Sequence, residues 1–120
     1  MKPTTIVIVE DDGDIRESLR DAFEDAGYAV HSARNGLEGL EVLRGCDRPC
    51  AVVLDLIMPV MTGNELYEAM QADPQLADIP VVVSTSDPSR VPSGVPFVRK
   101  PINVSAMLNT VKRIFDAAAT

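Results

Sequence analysis

The chain has 120 residues, of which 46% are hydrophobic, and a formal net charge of −7. These values predict a single globular domain spanning 1–120, exclude an intrinsically disordered chain and argue against direct nucleic-acid binding. Because no apolar run reaches membrane-spanning length and the N-terminus lacks the apolar stretch of a signal peptide, we expect a cytoplasmic protein without membrane contact.

Short apolar runs alternate with helical patterns along the chain, which is typical of a parallel sheet covered by helices on both faces. The runs predicted to be strands are 5–9, 28–32, 51–54, 81–84 and 97–99. Four helices are predicted, and a polar side chain that can cap the helix opens each of the first three. These capping residues are Asp14, Asn35 and Thr62, and the last helix is predicted to start near Asn103.

The connection between the last two strands breaks this alternation. It comprises the 11 residues 86–96 and contains Pro88, Pro92 and Pro96. A helical crossover needs a dozen residues or more, and proline inside a helix costs roughly 3 kcal/mol. We therefore expect a loop with at most one turn in this interval.

Polar residues follow the apolar strands at their C-terminal ends. The first strand runs into Glu10-Asp11-Asp12, the third ends at Asp55 before the turn Met58-Pro59, and Thr85 and Lys100 end the last two. Open α/β sheets carry their reactive groups outside these strand ends. An acid pair, a lone acid, a hydroxyl and a lysine, in that order, predict a phosphoryl-transfer site that needs a divalent metal.

Taken singly, these motifs have simpler interpretations. The run Glu10-Asp11-Asp12 is typical of helix-capping surface charge, and Lys100-Pro101 is typical of a turn. Phe97 alone is interpreted as a core residue in preference to a moving part.

The residues capable of zinc or redox chemistry are interpreted as structural. Cys46 and Cys50 would need further ligands to hold zinc, and His31 lies in a different segment. A disulfide is disfavoured in a reducing compartment, so loop and strand-edge packing is the expectation for both cysteines. His31 is expected to be a partly exposed strand residue and not a phosphorelay group.

In the order and spacing of these motifs, nearly the whole chain resembles the receiver domain of two-component response regulators. The matching segments are Ile8–Asp12, Val53–Pro59 with Gly63 beyond it, Val83–Ser86 and Val98–Pro101. The resemblance implies a flavodoxin-like α/β fold, a three-layer doubly wound sandwich with five parallel strands in the order 2-1-3-4-5. The short connection 86–96 departs from the family, so the family's fourth helix is expected to be absent or reduced.

The resemblance also implies a phosphorylation site. Asp55 would be the phosphoacceptor, taking a phosphoryl group from a sensor histidine kinase or a histidine phosphotransfer protein. The metal would be Mg²⁺, with Mn²⁺ as a substitute, held by Asp11, by Glu10 through a water, by Asp55 and by the backbone carbonyl of Ile57. Asp12 corresponds to a position outside this metal shell.

The family's switch residues map onto the last two strands. Lys100 would bind a phosphate oxygen, and Pro101 would follow it through a cis peptide bond that aims the lysine. Thr85 would donate its hydroxyl to the phosphoryl group, and Phe97 would enter the space that Thr85 vacates. The implied function is a phosphorylation-controlled signalling switch, and not an enzyme that turns over external substrates.

Two other functions fit part of this pattern. A phosphohydrolase of the haloacid-dehalogenase type has a second aspartate two residues after its nucleophile, where this chain has Ile57. A pseudo-receiver would lack one of the key acidic residues or the lysine, and this chain has them all. The sequence leaves open whether the domain stands alone or belongs to a hybrid kinase or to a regulator with an output domain, and it does not identify the kinase or the downstream target.

Overall fold

Five parallel strands in the order β2-β1-β3-β4-β5 form the single sheet of a computed structural model, which describes residues 5–46, 50–58 and 60–118. The strands are β1 (Thr5–Val9), β2 (Ala29–Ala33), β3 (Cys50–Asp55), β4 (Val81–Thr85) and β5 (Phe97–Arg99). The helices are α1 (Gly13–Asp25), α2 (Gly36–Gly45), α3 (Gly63–Ala72) and α4 (Val104–Ala118). The predicted strand order is confirmed, and the predicted strand limits agree to within one residue.

Helices cover both faces of the sheet. Alternate strand residues point to opposite faces, so Ile6 and Ile8 pack with α1 and α4, whereas Val7 and Val9 pack with α2 and α3. All of β1, β3 and β4 is buried. Continuous apolar strands of this kind are expected where helices cover a parallel sheet on both sides.

The N-terminus of α1 differs from the prediction, because Asp12 and not Asp14 is its capping residue. The Asp12 carboxylate accepts hydrogen bonds from the backbone N–H of Asp14 at 2.9 Å and of Ile15 at 3.1 Å. The helix begins as soon as the chain leaves the strand, so Asp14 already lies in its first turn. The other predicted capping residues, Asn35 and Thr62, accept hydrogen bonds from their helices, and the Asn103 side chain does the same at the start of α4.

The connection between β4 and β5 contains no α-helix, as predicted. The regular secondary structure in this connection is a single 3₁₀ turn at Pro88–Arg90, which is capped by the side chain of Asp87. The amide of Asn64 in α3 donates a hydrogen bond to the Arg90 carbonyl at 2.9 Å and fastens the turn to the domain. With no helix over this end of the sheet, Phe97 is 46% exposed, so its interpretation as a core residue is wrong.

The cysteines and the histidine have the surroundings expected from the sequence. Cys50 is buried at the start of β3, Cys46 packs against the same core, and the two sulfurs are not joined in a disulfide. His31 is exposed on the edge strand β2. No helix within the described residues is long and apolar enough to cross a membrane.

Candidate functional site

Three acidic side chains meet at the C-terminal end of the sheet. Carboxylate oxygens of Glu10, Asp11 and Asp55 all lie within 4.8 Å of one another. Glu10 is 2% exposed and Asp55 is 4% exposed, whereas Asp11 is open to solvent. This arrangement follows from the topology, because β1 and β3 are neighbours and their C-terminal ends lie side by side.

The loop from β1 to α1 is braced by Arg16, which the sequence analysis did not single out. Its guanidinium donates a hydrogen bond to the carbonyl of Glu10 at 2.9 Å. The backbone N–H of Glu10 also donates to the Ala33 carbonyl at 3.1 Å, which extends the pairing of β1 with β2. These two bonds hold the Glu10 backbone, and so orient its side chain, beside Asp55.

Lys100 supplies the positive charge of the site. Its Nζ lies 3.0 Å from Oε1 of Glu10 and 3.4 Å from Oδ1 of Asp55. At 3.0 Å the contact with Glu10 is a short ion pair in which the ammonium can donate to Oε1. The backbone N–H of Lys100 donates to the Thr85 carbonyl at 2.9 Å, and its peptide bond to Pro101 is cis, as predicted.

Burial changes the proton affinities of the acids. Desolvation raises the pKa of Glu10 from 4.5 to about 7, and hydrogen bonding to Lys100 opposes that rise. The pKa of Asp55 is raised as well, mainly by burial. Burial alone would lower the pKa of Lys100, but its hydrogen bond and charge interaction with Glu10 raise it above its ordinary value. One ammonium therefore does not fully compensate the negative charge of three carboxylates.

The donor set suits a hard divalent cation. It consists of carboxylate oxygens, which Mg²⁺ prefers, and two of the three carboxylates, those of Glu10 and Asp55, are buried. The backbone N–H of Ile57 donates to Oδ1 of Asp55 at 3.4 Å, whereas the Ile57 side chain points into solvent. Asp12 is not a member of the cluster and caps α1 instead.

We predict that the metal-free protein loses stability as the pH rises from about 5 to about 8, by on the order of 1–3 kcal/mol. Because the pKa of Glu10 is raised in the folded state, folded chains bind more protons than unfolded ones between 4.5 and about 7. The contribution of Glu10 to the free energy of unfolding is therefore close to zero below this pH window and destabilises the folded state above it. Urea unfolding in EDTA measures this slope, and Glu10→Gln should flatten it. A stability that rises with pH across this window would contradict the assignment.

Of the predicted switch residues, Lys100 contacts the acids, whereas Thr85 and Phe97 make other contacts. Thr85 is buried at the end of β4, and its hydroxyl donates to the Asp87 carbonyl at 3.3 Å and accepts from the Asp87 N–H at 3.1 Å. Phe97 lies two residues before the end of β5, with its side chain on the sheet face opposite to Asp55. The structure thus brings Glu10, Asp11, Asp55 and Lys100 together, whereas the Thr85 hydroxyl faces the loop.

Known proteins are similar to this chain in sequence and in fold. The chain is 32% identical over 117 residues to the polar-differentiation response regulator DivK of Brucella anthropi, covering 92% of this chain and 94% of DivK. It is 39% identical over 84 residues to the response regulator MprA of Mycolicibacterium vanbaalenii, covering 70% of this chain but only 35% of MprA. A signal receiver domain of a histidine kinase from Syntrophus aciditrophicus superposes with a TM-score of 0.84 at 32% identity, covering 95% of this chain and 91% of that domain.

A match to a protein-family model agrees with these similarities. The model of the response regulator receiver domain matches residues 6–112, a range that includes all four residues that meet at the end of the sheet. With the sheet order and these relatives, the match assigns the family: the chain belongs to the receiver domains of two-component response regulators.

Proposed function

We propose that Asp55 accepts a phosphoryl group from the phosphohistidine of a sensor histidine kinase or a phosphotransfer protein, in a Mg²⁺-dependent reaction. The observation that carries this proposal is the position of the Asp55 carboxylate, which is buried at a strand end, 3.4 Å from Lys100 and clustered with two further acids. A carboxylate oxygen of Asp55 attacks phosphorus, an acyl phosphate forms, and the bond from phosphorus to the histidine nitrogen breaks.

The chain's own residues prepare this step. Glu10, Asp11 and Asp55 would hold the cation with the Ile57 backbone carbonyl, and Mg²⁺, or Mn²⁺ in its place, would neutralise charge on the phosphoryl oxygens. Lys100, whose ammonium lies 3.4 Å from the Asp55 carboxylate, would offer it to another phosphoryl oxygen. Burial of Asp55 excludes water from all but the open side of the site.

Incubation with phosphoramidate followed by intact-protein mass measurement tests the proposal. We expect the mass to increase by one phosphoryl group in Mg²⁺ and to remain unchanged in EDTA. Equal labelling in both buffers would show that the acidic cluster does not hold a required metal.

We predict that Asp11→Asn weakens Mg²⁺ binding more than Glu10→Gln does, by about tenfold or more. A direct ligand contributes more to affinity than a group that acts through bound water, and outer groups alone typically affect affinity by roughly 10- to 100-fold. Titration of each variant with Mg²⁺, followed by NMR, gives both dissociation constants. Equal losses in the two variants would contradict this division of roles.

A phosphorylation signal would leave the site through the loop at 86–96. The two hydrogen bonds between the Thr85 hydroxyl and Asp87 compete with any bond from that hydroxyl to a phosphoryl oxygen. Asp87 also caps the turn at Pro88–Arg90, and Arg90 is fastened to Asn64. Rotation of the Thr85 hydroxyl toward the phosphoryl group would therefore break its hydrogen bonds to Asp87 and weaken the turn. The Phe97 side chain would then move into the space that Thr85 vacates.

We predict that beryllofluoride, a mimic of the phosphoryl group, changes hydrogen-exchange protection in 86–96. The change should be absent in Asp55→Asn, and peptides from α2 should remain unaffected in both proteins. Unchanged exchange throughout 86–96 in the beryllofluoride-bound wild type would exclude the loop as the output element.

The structure gives no support to the phosphohydrolase alternative. The position two residues after Asp55 is Ile57, whose side chain is apolar and 54% exposed. It cannot donate or accept a proton, so the chain lacks the acid that turnover of external phosphate esters requires there.

A further inference from the structure

Ser84 is a buried hydroxyl that the proposed reaction does not use. It is 1% exposed in β4, and its Oγ has no hydrogen-bond partner among the described residues. Ser84 differs in this from the buried Oε1 of Glu10, which has the Lys100 ammonium 3.0 Å away. A buried hydroxyl without a partner costs about 1–3 kcal/mol, so its presence calls for a cause.

The sheet register places Ser84 directly beside the phosphoacceptor. Ser84 is the strand partner of Asp55, and paired residues of parallel strands direct their side chains to the same face. That face is the one covered by α1 and α4, because Val53 and Val82, the pair two residues earlier on each strand, pack there. On its other side Ser84 is paired with Val98 of β5, which packs in the same layer.

The Lys100 side chain has to cross β4, the strand that carries Ser84, to reach Asp55. The sheet order places β4 between β3 and β5, and adjacent strands are about 4.8 Å apart, so Lys100 spans the end of β4. Its Nζ ends 3.4 Å from Asp55. Ser84, as the strand partner of Asp55, is the β4 residue that faces the same side as the carboxylate that Lys100 contacts.

Lys100 and a metal ion require the same oxygens. In the metal-free site the ammonium contacts Glu10 and Asp55, both members of the candidate metal cluster. A cation bound there weakens these contacts, and the phosphoryl oxygen replaces only one of them. An ammonium has three donors, so it then needs another acceptor.

We propose that Ser84 is a positioning residue for Lys100, its hydroxyl accepting a hydrogen bond from Nζ once metal and phosphoryl group occupy the site. This inference rests on the proposed phosphoacceptor function. It explains why a hydroxyl without a partner is retained beside Asp55: the partner arrives only in the phosphorylated arrangement.

The test compares Ser84→Ala with Ser32→Ala. Ser32 lies on the same face of the sheet, but its hydroxyl already accepts a hydrogen bond from Arg20 at 3.3 Å. In EDTA, we expect Ser84→Ala to unfold at the same urea concentration as the wild type or a higher one, and Ser32→Ala at a slightly lower one. Marked destabilisation by Ser84→Ala would overturn the proposal, since the hydroxyl would then have a structural role in the resting protein.

The loaded site is then measured through its affinity for beryllofluoride in Mg²⁺. We expect Ser84→Ala to weaken beryllofluoride binding about three- to tenfold, and Ser84→Cys to weaken it to the same extent because a thiol is a weak acceptor. Ser32→Ala should leave the affinity unchanged. In a Lys100→Ala background, Ser84→Ala should cause no further loss. An unchanged affinity in Ser84→Ala, or an equal loss with and without Lys100, would overturn the inference. A wild type that does not bind beryllofluoride would instead contradict the proposed function itself.

Discussion

Replacing Asp55 by asparagine should abolish phosphorylation completely. The amide oxygen of asparagine is too weak a nucleophile to attack phosphorus, and the substitution also removes one negative charge from the metal cluster. The fold should survive, because asparagine has nearly the same volume and desolvation already disfavours the charged carboxylate. Intact-mass measurement after incubation with phosphoramidate and Mg²⁺ should therefore show no adduct, while urea unfolding should show that the variant is folded.

Asp12→Asn is the matched control. Asp12 lies two residues beyond Glu10 but caps α1 through its side-chain oxygen, a role that asparagine performs equally well. This variant should be labelled at the wild-type rate. Full labelling of Asp55→Asn, or loss of labelling in Asp12→Asn, would show that the phosphoryl group goes elsewhere.

Gly63→Ala should destabilise the fold by about 2–4 kcal/mol. A Cβ at this position would collide with the Asp55 carbonyl oxygen and lie 2.6 Å from Cα of Leu56. Both are backbone atoms at the end of β3, and the Gly63 N–H donates to the Leu56 carbonyl at 2.9 Å. Relief of the clash has to move the strand end that carries Asp55, so Mg²⁺ affinity should fall together with stability.

Gly45→Ala provides the comparison for that variant. Gly45 is the last residue of α2, and a Cβ there would meet nothing within 4 Å. Alanine has the higher helix propensity, so this variant should be neutral or stabilised by about 0.5 kcal/mol in urea unfolding. Equal stability of Gly63→Ala and the wild type would indicate a looser contact between α3 and β3.

The strand pattern made the fold and most of the site predictable. Parallel strands covered on both faces appear as continuous apolar runs, and their polar residues then collect at one edge of the sheet. Glu10, Asp11, Asp55 and Lys100 could be named because each directly follows or ends such a run. The absence of a helix at 86–96 was predictable for a different reason, since three prolines in 11 residues oppose one.

The features that were missed depend on packing between distant segments. Phe97 has the composition of a core residue, and its exposure follows from the missing helix above β5. Arg16 carries no sequence signal beyond a cation in the first turns of a helix, because its acceptor is a backbone carbonyl. The burial of Ser84 beside Asp55 became evident only from the strand register.

The most direct test of the central claim locates the phosphoryl group in the wild-type protein. Borohydride reduces an acyl phosphate to an alcohol, so the phosphorylated aspartate is converted to homoserine and can be identified by peptide mass spectrometry. After treatment with phosphoramidate and Mg²⁺, we predict homoserine at position 55 and at no other aspartate. Reduction at Asp11, or a phosphoryl group on Ser84 or Thr85 with Asp55 intact, would contradict the assignment of Asp55 as the phosphoacceptor.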